Sequence, residues 1–155
     1  MSRLLRMGLI AALAPEGVPE VDILVTDPSC KKLCSIQVKT RSGAGNDYGW
    51  HMAKKHEDII HSDLFYCFVD LGKDFSSSIK TYIMPSKIVA DILKKSHFVY
   101  LSGSGLKGRE RKDTDMRRLL VDYTRIFRGH NDENSYKSGW LDPYLENWDL
   151  IKNKS

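Results

Sequence analysis

The chain has 155 residues, 41% hydrophobic and 28% charged. That is an ordinary globular balance, which excludes a disordered tail or a membrane-spanning bundle, and one domain of this size buries about two-thirds of its unfolded surface without staples. A net charge of +4 permits a polyanionic partner without demanding one. Cys30, Cys34 and Cys67 are odd in number and irregularly spaced, which argues against a disulfide framework or a zinc site and for a reducing, cytoplasmic setting.

Met1-Ser2-Arg3 and the apolar residues ending in Ala12-Leu13-Ala14 have the outline of a signal peptide. Arg6 interrupts the apolar stretch, and cleavage would remove an edge strand. The favoured reading is a stub of helix through Arg6-Met7, stopped at Gly8, then a strand Leu9–Leu13 ended by Pro15.

Two runs of strand type follow, Val21–Thr26 and Leu33–Thr40, around the turn-forming Asp27-Pro28-Ser29-Cys30 with Lys31-Lys32. A turn centred on Ser29-Cys30 sets Asp22 opposite Gln37 and Glu20 opposite Lys39, all four on one face. Ile23, Val25, Ile36 and Val38 then fall on the face that is buried. An acid opposite an amide, with a lysine two residues on, can be read as a divalent-metal site. The Asp22 carboxylate, the Gln37 side-chain oxygen and a backbone carbonyl near Val38 are hard oxygen ligands of the kind Mg²⁺ accepts while keeping waters, with Mn²⁺ as a substitute. Lys39 would stabilise a water-derived nucleophile or the charge developing on a phosphate. The plainer reading is a half-exposed hairpin with ordinary polar residues on its wet face.

The glycine-containing loop Ser42-Gly43-Ala44-Gly45-Asn46-Asp47 is either a connector or a lip for a nucleic-acid backbone. Trp50–Ser62 reads as a short helix with Ile59 and Ile60 inward and Lys54, Lys55, His56, Glu57 and His61 on its polar flank. His51, His56 and His61 repeat at five, which does not suit helical zinc ligands. The eight residues Leu64–Leu71 are nearly all apolar and read as a central strand buried on both faces. Ile79–Met84 alternates as another strand. Pro85-Ser86 opens a helix with Ile88, Val89, Ile92 and Leu93 as its stripe, and Phe98–Leu101 reads as a brief extended segment.

Residues 102–112 form a glycine-rich, then basic loop, followed by a helix from a cap at Asp113 to about Phe127, stopped at Gly129. Between Lys107 and Arg128 there are eight basic and four acidic residues, so the whole positive excess of the chain is local. The region, with Lys107, Arg109, Arg111, Lys112 and Arg118, is either a solvated face or a phosphate-tracking patch. At the end of the chain, Asp142 caps a helix with Pro143 at its first position and Tyr144, Leu145, Trp148 and Ile151 as a helical stripe, whose aromatics either stack bases or, the favoured reading, pack into the core.

Val21-Asp22-Ile23-Leu24-Val25 and Ile36-Gln37-Val38-Lys39-Thr40 resemble the second and third core strands of the PD-(D/E)XK nuclease-like superfamily, in the variant where Gln replaces the acid of the E-x-K element. Gly49-Trp50-His51-Met52, Lys55-His56-Glu57, Leu64-Phe65-Tyr66, Tyr82-Ile83-Met84-Pro85-Ser86 and Gly139-Trp140-Leu141 extend the resemblance to a small bacterial branch of that superfamily over most of the chain. It implies an α/β fold with a small mixed β-sheet flanked by helices, a restriction-endonuclease-like core, and a Mg²⁺-dependent endonuclease acting on DNA. Asp22 and Gln37 would bind metal, Lys39 would assist the nucleophile, and Lys55 or His56 would reach a phosphate. Residues 1–8 contain no Asp or Glu, where the superfamily's opening helix supplies an acid. Either residues upstream supply it, or Glu20 substitutes from the hairpin, or metal is held weakly. The alternatives are a binding module on the same fold, holding nucleic acid or a protein without cutting it, and a plain interaction domain. A homodimer is left open.

Overall fold

The computed structural model describes residues 1–43, 49–104 and 109–153. The architecture is α/β: a five-stranded mixed sheet, a two-stranded sheet, and helices on both sides. Helix α1 (Ser2–Arg6) stops at Gly8, whose φ of +79° is cheap only for glycine, and the chain turns into edge strand β1 (Ile10–Leu13). The hairpin is β2 (Ile23–Thr26) and β3 (Leu33–Arg41), and the central strand is β5 (Leu64–Asp70). Strand β6 (Lys80–Pro85) completes the order β1-β2-β3-β5-β6. Only β3 and β5 run parallel; the other pairs in this sheet are antiparallel.

Alternation along these strands builds two cores. Ile23, Val25, Cys34, Ile36, Phe65, Cys67 and Ile83 face one side, where Leu4 of α1 and Ile151 of α4 (Asp149–Lys152) cover them. Tyr66, Phe68, Tyr82 and Met84 face the other, against Val89, Ile92 and Leu93 of α2 (Ser86–Ser102). Cys67 is thus a small core residue.

The segment expected as a helix over Trp50–Ser62 is instead strand β4 (Gly49–Ala53) and a 3-10 turn, Lys54–Glu57. Trp50 and Met52 are buried while His51 between them is exposed, a two-residue period. Ile59 is buried as expected, but Ile60 is 46% exposed. The expected helix Asp113–Phe127 is also corrected: it is strand β7 (Met116–Leu120) and a single turn, α3 (Thr124–Phe127). Strand β7 pairs antiparallel with β4 and lays Leu119 on the tyrosine-rich core. Gly49 is needed there because a Cβ would lie 2.2 Å from the Leu119 carbonyl oxygen. Asp113 caps no helix and binds Lys54 (2.7 Å) and His97 (2.8 Å).

Phe98–Leu101 continues α2 rather than forming an extended segment. The C-terminal helix is broken into a 3-10 turn, Asp142–Tyr144, and α4, with Glu146 between them at a φ of +50°. Of its expected stripe, Ile151 is buried, Tyr144 and Trp148 are partly buried, and Leu145 is exposed, bridging to Tyr82.

Candidate functional site

The hairpin pairs Ile23 with Ile36, Leu24 with Ser35, Val25 with Cys34 and Thr26 with Leu33, the register that a turn centred on Ser29-Cys30 requires. One step beyond Ile23, Asp22 leaves regular pairing. Its N–H donates to the Ile36 carbonyl (2.9 Å), and its Oδ2 accepts the Val38 N–H (2.6 Å). The carboxylate is thereby pinned against β3 beside Gln37, with Oδ1 not engaged by that bond. Val38 itself packs toward the α1–α4 core, as its place in the alternation demands.

Gln37 is buried on the opposite face, in register with Tyr66 of β5 and, beyond it, Met84 of β6. Its Oε1 has no hydrogen-bond partner among the described residues. Leaving a buried acceptor unpaired costs about 1–3 kcal/mol, so this oxygen suits an added ligand. Lys39, two residues on, aligns with Phe68 and is half-buried. Burial is the main cause that pushes its pKa down, and Lys55 adds to the effect, while Asp22 and Glu20 oppose it.

Glu20 comes to the same side on a backbone with φ +69°, a strained value for a residue with a Cβ. It pairs with Lys55 at 3.5 Å. The 3-10 turn that carries Lys55 also carries His56, which is buried. Burial, Lys39 and Lys55 push the His56 pKa down, against the Ala53 backbone contact and Glu20. Asp22, Gln37, Lys39, Glu20, Lys55 and His56 thus lie near one another on one side of the β3–β5 pair. Tyr66 joins them and was not legible beforehand, being one aromatic in an apolar run; the signal was a hydroxyl that a fully buried strand must pair.

The basic residues expected as a patch are not brought together in the same way. Lys107 lies outside the described residues, as do residues 44–47 of the glycine loop. Arg111 donates to the Tyr100 carbonyl (2.6 Å) and sits 4.4 Å over the Tyr100 ring. Arg109 and Lys112 are exposed. Arg118 lines two shallow grooves beside β7, of about 240 and 390 Å³. Arg117 is turned inward and held by Glu57, so these five described basic residues, in a loop and strand β7, do not form one helix face.

As a metal position, the set offers the Asp22 carboxylate, the unpaired Gln37 Oε1 and backbone carbonyl oxygen from β3. Among the described residues, no three His, Cys, Asp or Glu side chains converge to hold a metal. By their chemistry these donors would suit a hard divalent cation that keeps several waters, and would hold it weakly, because a single carboxylate supplies the charge and Glu20 is engaged with Lys55.

No protein-family model matches the chain, and no curated protein matches it. Among solved structures it is similar to a bacterial homing endonuclease, I-Ssp6803I, at 14% sequence identity and a TM-score of 0.48, over 99% of this chain and 83% of that one. No helix among the described residues is long and apolar enough to cross a membrane.

Proposed function

We propose that the chain is a PD-(D/E)XK-type, metal-dependent nuclease-like domain that hydrolyses phosphodiester bonds, with DNA as its substrate and Mg²⁺ or Mn²⁺ as its cofactor. The observation that carries the reading is the buried, unpaired Gln37 Oε1 flanked by the pinned Asp22 carboxylate and the half-buried Lys39. Asp22 and Gln37 would hold the cation, with the Val38 carbonyl as a further oxygen and Glu20 available when released from Lys55. A divalent cation so held lowers the pKa of bound water and polarises a phosphoryl oxygen. The Val38 N–H fixes the orientation of the Asp22 carboxylate. Lys39 places an ammonium, poorly hydrated because half-buried, where negative charge develops on the phosphate.

A catalytically weak binding module on the same fold is favoured by one observation, the lack of three converging metal-type side chains among the described residues. Plasmid DNA separates the two. Cleavage is expected to be weak with Mg²⁺ and greater with Mn²⁺, which binds mixed ligands more tightly, and to vanish in Asp22→Ala. Equal cleavage by wild type and Asp22→Ala contradicts the nuclease reading, and retardation of DNA without any cleavage supports the binding module.

A further inference from the structure

The sheet edges of this fold are guarded unequally. On the outer side of β6, Leu145 bridges to Tyr82, the Glu146 N–H donates to the Thr81 carbonyl (2.7 Å), and Pro85 has no N–H to offer. On the outer side of β7, the Tyr123 hydroxyl receives the Leu120 N–H (3.1 Å) and donates to the Arg118 carbonyl (3.1 Å), and Trp140 Nε1 donates to the Leu120 carbonyl (3.1 Å). Strand β1 is the other edge of the five-stranded sheet, and among the described residues no strand pairs with its outer side. It reads Ile10-Ala11-Ala12-Leu13, without the charge or proline that blunts an exposed edge. Ile10 is 47% and Leu13 70% exposed.

The register says which backbone groups are left over. The Ala14 N–H donates to the Asp22 carbonyl (3.0 Å), and β1 runs antiparallel to β2 with Ala12 opposite Leu24 and Ile10 opposite Thr26. Hydrogen-bonded and non-hydrogen-bonded pairs alternate along such a ladder. Ile10, Ala12 and Ala14 therefore bond to β2, and Ala11 and Leu13 turn their N–H and C=O groups outward. These alternating donors and acceptors are what a further strand takes.

The flanks of β1 say which strand. Before it stand Arg3 and Arg6 with no acid, and after it, as far as Asp22, stand Glu16 and Glu20 with no base. Arg6 and Glu16 are both exposed, and neither is in an ion pair among the described residues. Two copies of β1 laid antiparallel bring the basic flank of each to the acidic flank of the other, whereas a parallel arrangement sets like charges together. The side chains fit as well. With Ala11 bonded to Leu13 across the axis, Ala12 lies opposite Ala12, and each exposed leucine meets an alanine.

We propose that β1 is a dimerisation edge, through which two copies of this chain pair β1 with β1 antiparallel about a two-fold axis at Ala12 and join their sheets into one. The inference does not rest on the nuclease reading. So short a seam lies at the low end of interface sizes, so the dimer is reversible.

Sedimentation velocity of the full chain is expected to show monomer at about 1 μM and dimer at about 200 μM, as suits a small interface. Leu13→Lys sets an ammonium group in the seam at a position that is exposed in the single copy. It should weaken the dimer about tenfold or more while the thermal midpoint at the lower concentration holds. The register is read by a disulfide. Residues opposed at the axis, in a non-hydrogen-bonded pair, have Cα atoms about 4.5 Å apart, within reach of a bridge. Cys34 and Cys67 are buried and Cys30 is exposed, so the background is Cys30→Ser. In it, Ala12→Cys should give a linked dimer with oxidised glutathione, and Val18→Cys, also at an exposed position, should not. A monomer at 200 μM, a dimer unaffected by Leu13→Lys, or Ala12→Cys crosslinking no faster than Val18→Cys overturns the proposal.

Discussion

Arg117→Met is expected to destabilise the protein by about 3–5 kcal/mol, the cost of leaving one member of a buried ion pair uncompensated. Arg117 is 4% exposed. Its Nε donates to the buried Glu57 carboxylate, its Nη1 to the carbonyls of Thr114 (2.5 Å) and Met116 (3.0 Å), and its Nη2 to Asp113 (3.2 Å). Methionine fills much of the volume but leaves Glu57 charged or forces a proton onto it. Domains of this size have about 5–15 kcal/mol in total, so the urea midpoint should fall sharply with the slope unchanged. Arg109→Met, at an exposed position in the same basic region, should change stability by no more than about 0.5 kcal/mol. Equal effects of the two variants contradict the network.

The same network gives the acid limb of stability its sign. Lys54, then His97 and Arg117, hold the Asp113 carboxyl well below the usual carboxylate range. A depressed folded pKa stabilises the fold above the ordinary carboxylate value of about 3.9, and that contribution is lost as pH falls through the folded pKa. Because Glu57 ends the 3-10 turn carrying Lys55 and His56, Arg117→Met should also loosen the candidate site.

Lys39→Met should act in opposite directions on activity and stability. On the nuclease reading, Lys39 faces the charge that develops on phosphate, and removing one such group costs about 10²–10³-fold in rate. Burial disfavours its charged form, so an apolar side chain of similar length relieves a cost and should raise the thermal midpoint. This is the exchange of stability for function expected at an active site. Cleavage within a few-fold of wild type, measured on the same plasmid, would remove Lys39 from the mechanism.

The hairpin was legible because two kinds of information agreed. The turn residues Asp27-Pro28-Ser29-Cys30 fixed its centre, and the two-residue alternation of Ile23, Val25, Ile36 and Val38 fixed its inward face. Strand β5 was legible from its unbroken apolar run. The two mistaken helices are both short strands of the small sheet. In β4, the pattern of Trp50 in, His51 out and Met52 in is only five residues long and runs straight into charged residues that suit a helix flank. In β7, the inward residue Arg117 is charged, and no periodicity rule places a charge inward until its partner Glu57, sixty positions away in the chain, is known. Phe98–Leu101 misled through aromatic and β-branched composition, where helix α2 simply continues. At the site, Asp22, Gln37 and Lys39 could be grouped from spacing alone. Tyr66 could not, because its place depends on which strand lies beside β3.

Titration calorimetry of Mn²⁺ into wild type, Asp22→Ala and Gln37→Glu tests the central claim, a divalent-cation position between Asp22 and Gln37, most directly. A weak single site is expected for wild type, no detectable binding for Asp22→Ala, and binding about tenfold or more tighter for Gln37→Glu, which restores a negative charge beside the cation. The same affinity in all three proteins, or no binding in any of them, would contradict it.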